Sequence, residues 1–196
     1  IHGNFHQMPA LLASQAITSV DGILLDLGVS SYQLDTPERG FSYHEDAALD
    51  MRMDRSQAFR AETLVNEWPP ERIAEALRTY GDESWAARIA SIIVEHRREQ
   101  PLKPPAVRAR AVAAASPRKG LDRDSGHPAQ KTFQAIRIAV NDGLAPLSEA
   151  LRNAAGLLAP GGRLCVISFH SVEDRIVKQT FTRLVNPCTC PPKLPA

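Results

Sequence analysis

Two short apolar runs in the chain each end in a group of polar residues, as strands of a parallel sheet commonly do. The first run covers residues 22 to 28, and the second covers residues 163 to 169, directly after the turn-forming sequence Pro160-Gly161-Gly162. Runs without alternating polar positions are typical of strands that are buried on both faces. The carboxyl ends of such strands form the edge where open α/β sheets bind ligands, so the polar residues there are candidates for a site.

Apolar residues at helical spacing predict helices before, between and after these runs. A short helix over residues 8 to 17 precedes the first strand. A long helix over residues 133 to 158 passes a kink at Pro146 and leads into the second strand. A last helix begins at Ser171, with that hydroxyl as its cap and two acids in the first turn. The alternation of strand, helix and strand predicts the α/β class with a doubly wound sheet.

The middle of the chain, from about residue 59 to residue 96, shows helical patterns without a strand pattern between them, unlike the segments on either side. Two helical stretches are predicted between residues 59 and 96, one after Pro69-Pro70 and one that includes Trp85. Residues 101 to 128 then hold five of the 15 prolines, which indicates a loop-rich exit. We therefore expect three parts: a first part of the core over 1–57, a helical insertion over 58–128, and a second part of the core over 129–196.

The overall charge of +1 hides an uneven distribution. Residues 35 to 54 hold six acids and two arginines, whereas residues 88 to 123 hold nine basic residues and three acids. The basic stretch has two interpretations, a solvated helix face with a flexible loop or a surface that binds phosphate. Of the 196 residues 43% are apolar, and no apolar run reaches the roughly 18 residues that span a bilayer, so we expect no membrane partner.

Three cysteines indicate neither a disulfide framework nor a metal site. Cys165 lies in the second apolar run, where we expect a core position, and Cys188 and Cys190 form a C-x-C pair without a second pair of ligands at the required spacing. This cysteine usage fits a reducing cytoplasm. The chain begins at Ile1 without a signal-like segment, and we expect it to be part of a longer protein.

The clearest candidate for chemistry is Asp26, at the end of the first strand. A buried acid there needs a hydrogen bond, a metal or a ligand, although capping of the following turn is an alternative explanation. Gly28 permits a tight turn, and Ser30, Ser31 and Gln33 add polar groups. Neither of the common glycine-rich phosphate loops occurs in the 196 residues, which disfavours a nucleoside triphosphatase.

Five segments of the chain resemble the bacterial small-subunit ribosomal RNA cytosine-N4 methyltransferases. They are GILLDLGVSS at 22–31, ERGFS at 38–42, LDMRMD at 49–54, KTFQAIRIAVND at 131–142 and ISFHSVEDR at 167–175. The resemblance implies a Rossmann-like fold with a helical insertion that uses S-adenosylmethionine to methylate the exocyclic amine of a cytidine. It also implies a small-subunit ribosomal RNA or ribosomal particle as partner, and a cytoplasmic location.

The resemblance also implies roles for particular residues. Phe5, Asp26 and Gln33 match donor-binding positions, with Phe5 toward the adenine, and Asp26 is the candidate catalytic residue. His170 is a candidate for the substrate side, with a local hydrogen bond as its alternative role. The family's glycine-rich donor loop would lie upstream of Ile1, so we expect the 196 residues alone to be inactive. A nicotinamide-dependent oxidoreductase on the same fold and a non-catalytic RNA-binding assembly protein are the alternative functions.

Overall fold

The computed structural model describes residues 1–42, 49–99 and 130–187. The chain forms two compact units, which we name the sheet unit (residues 1–28 and 144–196) and the helical unit (residues 29–143). The limits of these units differ from the three parts predicted above, because residues 29–57 and 129–143 belong with the helical unit. The predicted division into two parts of a core and a helical insertion, with limits at residues 57 and 128, stays a prediction.

The elements follow one another in an α/β order. After a 3-10 turn at Phe5–Gln7 come α1 (Met8–Ala13), β1 (Val20–Asp26), α2 (Ser31–Asp35), a 3-10 turn at Pro37–Arg39, α3 (Ala61–Glu67), α4 (Pro70–Gly81), α5 (Ala86–Glu99), α6 (Gln130–Asn141), α7 (Leu147–Gly156), β2 (Leu158–Ile167) and α8 (Ser171–Val185). None of the helices in the described ranges is long and apolar enough to cross a membrane.

The two strands of the sheet unit pair with each other in parallel, which agrees with the predicted parallel sheet. The register runs from Gly22 opposite Arg163 to Asp26 opposite Ile167, and it is irregular between Val20 and Gly22. β2 begins five residues earlier than predicted, because the Pro-Gly-Gly turn forms a bulge inside the strand and does not precede it. It also ends at Ile167, so Phe169 lies beyond the strand.

The sheet is covered on one face, and the expectation of burial on both faces is wrong for the described structure. Ile23, Leu25 and Val166 lie on the covered face, whereas Leu24 is 66% exposed on the other. Cys165, opposite Leu24, is exposed as well, so its predicted core position is also wrong. An apolar strand can be buried on both faces, but what packs against it decides whether it is.

The predicted long helix over residues 133 to 158 is two helices, α6 and α7. The chain breaks at Asp142, whose φ is 47°, and α7 begins after Pro146. A left-handed residue ends a helix, and proline removes a backbone donor, so the expected kink is a complete break. Leu147 and Leu151 of α7 contribute to the core of the sheet unit, together with Val177 of α8.

The helical unit is built from α3 to α6. The helices predicted after Pro69-Pro70 and near Trp85 are confirmed as α4 and α5, and α3 is an additional short helix ahead of them. α4 and α6 pack closely where a β-carbon on Gly81 would lie 2.7 Å from the Lys131 carbonyl oxygen. The predicted loop over 101–128, Cys188 and Cys190 lie outside the described residues.

Candidate functional site

Polar and aromatic residues meet at the carboxyl ends of β1 and β2, which we name the strand-end site. Asp26 is opposite Ile167 in the sheet, and the Leu27 N–H donates to the Ile167 carbonyl oxygen at 3.0 Å. The residues that follow Ile167 therefore leave the sheet beside Asp26. The site comprises Asp26, Gly28, Phe169, His170 and Glu173, all within the sheet unit.

Asp26 is exposed at this edge, which differs from the buried acid that the sequence predicted. Its carboxylate accepts no hydrogen bond from the residues that the structure describes, and it caps no turn within them. An exposed carboxylate carries no burial penalty and keeps both oxygens available as acceptors. The structure thus leaves Asp26 free of the local capping role that was its alternative.

Gly28 has a φ of 95°, a conformation that favours glycine. The ring of Phe169 lies against it, because a β-carbon at Gly28 would be 3.3 Å from Phe169 Cδ2. Phe169 is nevertheless 70% exposed. The tight turn after β1 thus supports one part of an aromatic ring whose remainder faces solvent.

His170 caps α8, a role that the sequence analysis had given to Ser171. The His170 Nδ1 accepts a hydrogen bond from the Glu173 N–H at 3.3 Å, and its Nε2 lies 3.0 Å from the Glu173 carboxylate without the alignment of a hydrogen bond. Glu173 also accepts from the Phe169 N–H at 3.2 Å. The local hydrogen bond proposed as the alternative role of His170 is therefore present, and both ring nitrogens face Glu173.

The other two residues expected to bind the donor belong to other elements of the chain. Phe5 is half-buried on a 3-10 turn that packs against α1 and α7. Gln33 belongs to the helical unit, where its side-chain oxygen accepts from the Ser30 N–H at 3.0 Å in a capping box at the start of α2. This bond gives Gln33 a structural role, and its donor-binding role stays a prediction.

The loop of residues 49 to 57, which we name the 49–57 loop, holds a group of interactions that sequence reasoning missed. Asp50 and Arg52 form a bidentate ion pair, with contacts of 2.5 and 2.9 Å. Burial by itself would raise the pKa of Asp50, but the hydrogen bonds and charge of Arg52 outweigh it and hold that pKa below its ordinary value. Met51 is fully buried in the loop with a φ of 57°.

Two further segments hold the 49–57 loop in place. Asn141, at the end of α6, donates to the Met51 carbonyl oxygen and accepts from the Met53 N–H, both at 2.7 Å. Arg39 donates to the carbonyl oxygens of Arg52 and Met53 at 2.8 and 3.1 Å. Three of the segments that carried the family resemblance, those containing Arg39, Asp50 and Asn141, therefore meet in one hydrogen-bonded structure.

Comparison with known proteins identifies the chain's family. The model of the MraW methylase family matches residues 1–196. The chain belongs to the MraW methylase family. This membership agrees with the Rossmann-like methyltransferase fold predicted from the sequence.

Curated relatives of this MraW family chain carry a common name, ribosomal RNA small subunit methyltransferase H. The protein of that name from Symbiobacterium thermophilum is 53% identical over 100% of this chain and 61% of its own length. Those from Heliobacterium modesticaldum and Geobacter sulfurreducens are 52% and 50% identical, again over 100% of this chain and 62% of their own lengths. The chain thus spans about three fifths of these relatives.

Within the described part of the basic stretch, one arginine is hydrogen-bonded inside the fold and two are exposed to solvent. In this MraW family chain, Arg97 Nη1 donates to the carbonyl oxygens of Val65 and Trp68 at 2.9 and 2.7 Å, at the end of α3. Arg88 and Arg98 are exposed on α5. Arg97 therefore has a structural role, whereas the two exposed arginines are available to an anionic partner.

Proposed function

We propose that the protein to which this chain belongs transfers a methyl group from S-adenosylmethionine to the exocyclic N4 amine of a cytidine in small-subunit ribosomal RNA. The observation that carries the proposal is the match along the whole chain to the MraW methylase family, together with relatives about 50% identical that are named as small-subunit ribosomal RNA methyltransferases. A cytoplasmic location follows from such a substrate. The cytosine-N4 specificity comes from the resemblance of the five sequence segments.

The three residues predicted to bind the donor, Phe5, Asp26 and Gln33, fit this chemistry. The bound donor would supply an electrophilic methyl on sulfur, and the Asp26 carboxylate is an exposed acceptor at the edge where α/β folds bind ligands. Phe5 offers an aromatic surface that suits an adenine. Asp26 and Phe5 both lie in the sheet unit, and Gln33 retains two amide protons beside its capping bond.

The nucleophile determines what Asp26 must do. The lone pair of a cytosine N4 is delocalised into the ring, so the amine needs to be held in line with the methyl group. Transfer would form an N–C bond as the S–C bond breaks; sulfur would keep the electron pair as a neutral thioether, and one proton would pass from the nitrogen to water at this exposed edge. An Asp26 oxygen that accepts an N–H of the amine would orient it and stabilise the positive charge that develops.

The RNA side of the proposal rests on charge. Arg88 and Arg98 present exposed positive groups on α5, and residues 100 to 123 of the basic stretch lie outside the described residues. Contacts from arginine to phosphate position an RNA without reading its sequence. The expectation that the 196 residues alone are inactive stays a prediction.

A paired substitution at the two ends of β1 tests the role of Asp26. In the full-length protein, Asp26→Ala should weaken S-adenosylmethionine binding by about tenfold to a hundredfold, the equivalent of roughly 1.5 to 3 kcal/mol for a hydrogen bond to a charged group. Asp21, also exposed but at the other end of the strand, provides the matched control, and Asp21→Ala should leave binding unchanged. Calorimetry measures both.

Transfer of tritium from labelled S-adenosylmethionine to unmethylated small-subunit particles completes the test. Asp26→Ala should lose this transfer while Asp21→Ala retains it. Equal donor affinity and equal transfer in the two variants would refute the role of Asp26. Binding of RNA without any transfer by the wild-type protein would support the non-catalytic assembly function instead.

A further inference from the structure

The side chain of Phe169 is an exposed aromatic surface at the ligand-binding edge of the sheet. Phe169 is 70% exposed. It lies two residues beyond the end of β2, and its ring contacts Gly28, two residues beyond the end of β1. Adjacent strands are about 4.8 Å apart, and Asp26 is opposite Ile167, two residues before Phe169. We therefore expect a single nucleobase to be able to contact both Phe169 and Asp26. None of the roles derived above uses this ring.

The ring of Phe169 packs against the backbone of Gly28, in the turn that follows β1. Gly28 leaves just enough room, since a β-carbon there would contact Phe169 Cδ2 at 3.3 Å and the φ of 95° disfavours any other residue. The same turn carries Asp26 two residues earlier. The position of the ring is thus tied to the position of the carboxylate by the chain itself.

The backbone of Phe169 is bonded to the buried side chain of Glu173, which is next to that of His170. Glu173 accepts the Phe169 N–H, and its own N–H is bonded to His170. The side chains of His170 and Glu173 are only 9% and 7% exposed. Buried polar groups that are bonded to one another restrict local motion, so the exposed ring stands on a rigid support.

We propose that Phe169 is the surface on which the target base stacks, and that His170 and Glu173 are positioning residues that hold it. This inference rests on the proposed function. An enzyme that modifies a base must take it out of the helical stack, and aromatic side chains replace the lost stacking. A base on the Phe169 ring would present its edge toward Asp26, where the amine is to be held.

The test uses the full-length protein and unmethylated small-subunit particles. Phe169→Ala should lower kcat/KM for the particle by about tenfold to a hundredfold, the range for removal of one base–aromatic stack. Phe169→Tyr should restore most of the activity, whereas Phe169→Leu, which keeps apolar area without a ring face, should not. Val185, 86% exposed at the end of α8, provides a control in Val185→Ala, which should leave kcat/KM unchanged.

Donor affinity distinguishes the two bases that could stack on the Phe169 ring, the target cytosine and the adenine of the donor. Calorimetric binding of S-adenosylmethionine should be the same for wild type and Phe169→Ala, and a tenfold loss would assign the ring to the donor adenine and overturn the proposal. An unchanged kcat/KM in Phe169→Ala would overturn it as well. Absence of methyl transfer by the wild-type protein would contradict the proposed function. Equilibrium binding of a single-stranded oligocytidine would then test the stacking role of Phe169. Equal affinity of the wild-type protein and Phe169→Ala for this oligocytidine would overturn the proposal.

A double-mutant cycle tests the positioning role of Glu173. Glu173→Ala should lower kcat/KM in the wild-type background but have little further effect in Phe169→Ala, because its action passes through the ring. Glu173→Gln keeps an oxygen that accepts the Phe169 N–H and should retain most of the activity. Independent, additive losses from Phe169→Ala and Glu173→Ala would show that Glu173 does not act through Phe169.

Discussion

Replacing Asn141 by alanine would test whether the 49–57 loop is held by long-range hydrogen bonds. The Asn141 side chain bonds to both the Met51 carbonyl and the Met53 N–H, about 90 positions earlier in the chain. Met51 is fully buried, so its carbonyl would lose its partner without access to water. Met53 is exposed, and its N–H can be hydrated instead.

These two environments set the expected magnitude. An unsatisfied buried acceptor costs about 1 to 3 kcal/mol, and loss of a bond to a group that water can reach costs about 0.5 to 1.5 kcal/mol. Asn141→Ala should therefore lower the free energy of unfolding by about 2 to 4 kcal/mol. Asn141→Asp should be at least as destabilising, because it places a carboxylate against the Met51 carbonyl.

Urea unfolding followed by circular dichroism measures the loss, and hydrogen exchange at the Met53 amide locates it. Asn153 provides the matched control, since it lies half-buried on α7 and its side chain makes no hydrogen bond with the described residues. Asn153→Ala should change stability by less than about 0.5 kcal/mol. Equal unfolding midpoints for the two alanine variants, with unaltered exchange at Met53, would refute the reasoning.

Two other predictions concern charged residues. Because Arg52 holds the pKa of Asp50 below its ordinary 3.8, the stability that this carboxylate contributes should be present above that pH and be lost as the pH falls below it. Urea midpoints between pH 6 and 3 should show a deficit for Asp50→Asn that shrinks below about pH 4, and a constant deficit would contradict the ion pair. Arg97→Ala should destabilise the helical unit without altering the salt dependence of RNA binding, whereas Arg98→Ala should leave stability unchanged and reduce the salt slope by about 1. The reverse pattern in filter binding would reassign both arginines.

The elements that the sequence predicted correctly are those with a local signal. Helical spacing of apolar residues located α4 and α5, and the apolar runs located both strands of the predicted parallel sheet. A helix face or a strand is encoded within about ten residues, so its existence can be inferred without knowledge of the rest of the fold.

The sequence analysis was wrong at positions whose environment depends on tertiary contacts. Cys165 lies in an apolar run, yet it is exposed because its face of β2 is uncovered in the described structure. The cap of α8 is His170 and not Ser171, since an imidazole as well as a hydroxyl can accept the Glu173 N–H. Neither outcome changes the local hydrophobic pattern from which the predictions were made.

The candidate site was predicted in part. The position of Asp26 at the end of β1 followed from the strand pattern, but its exposure did not, and the neighbouring Phe169 was not singled out. The contact between Phe169 and Gly28 joins residues 141 positions apart. A register between two strands is needed to bring them together, and the register is a property of the folded sheet.

The central claim is methyl transfer to a cytidine N4, and the identity of the modified nucleoside tests it most directly. Unmethylated small-subunit particles would be incubated with the full-length protein and S-adenosylmethionine, and the ribosomal RNA digested to nucleosides for mass spectrometry against authentic standards. The account predicts N4-methylcytidine that is absent when Asp26 is replaced by alanine. A methyl group on C5 of cytosine, on a ribose or on another base would contradict it.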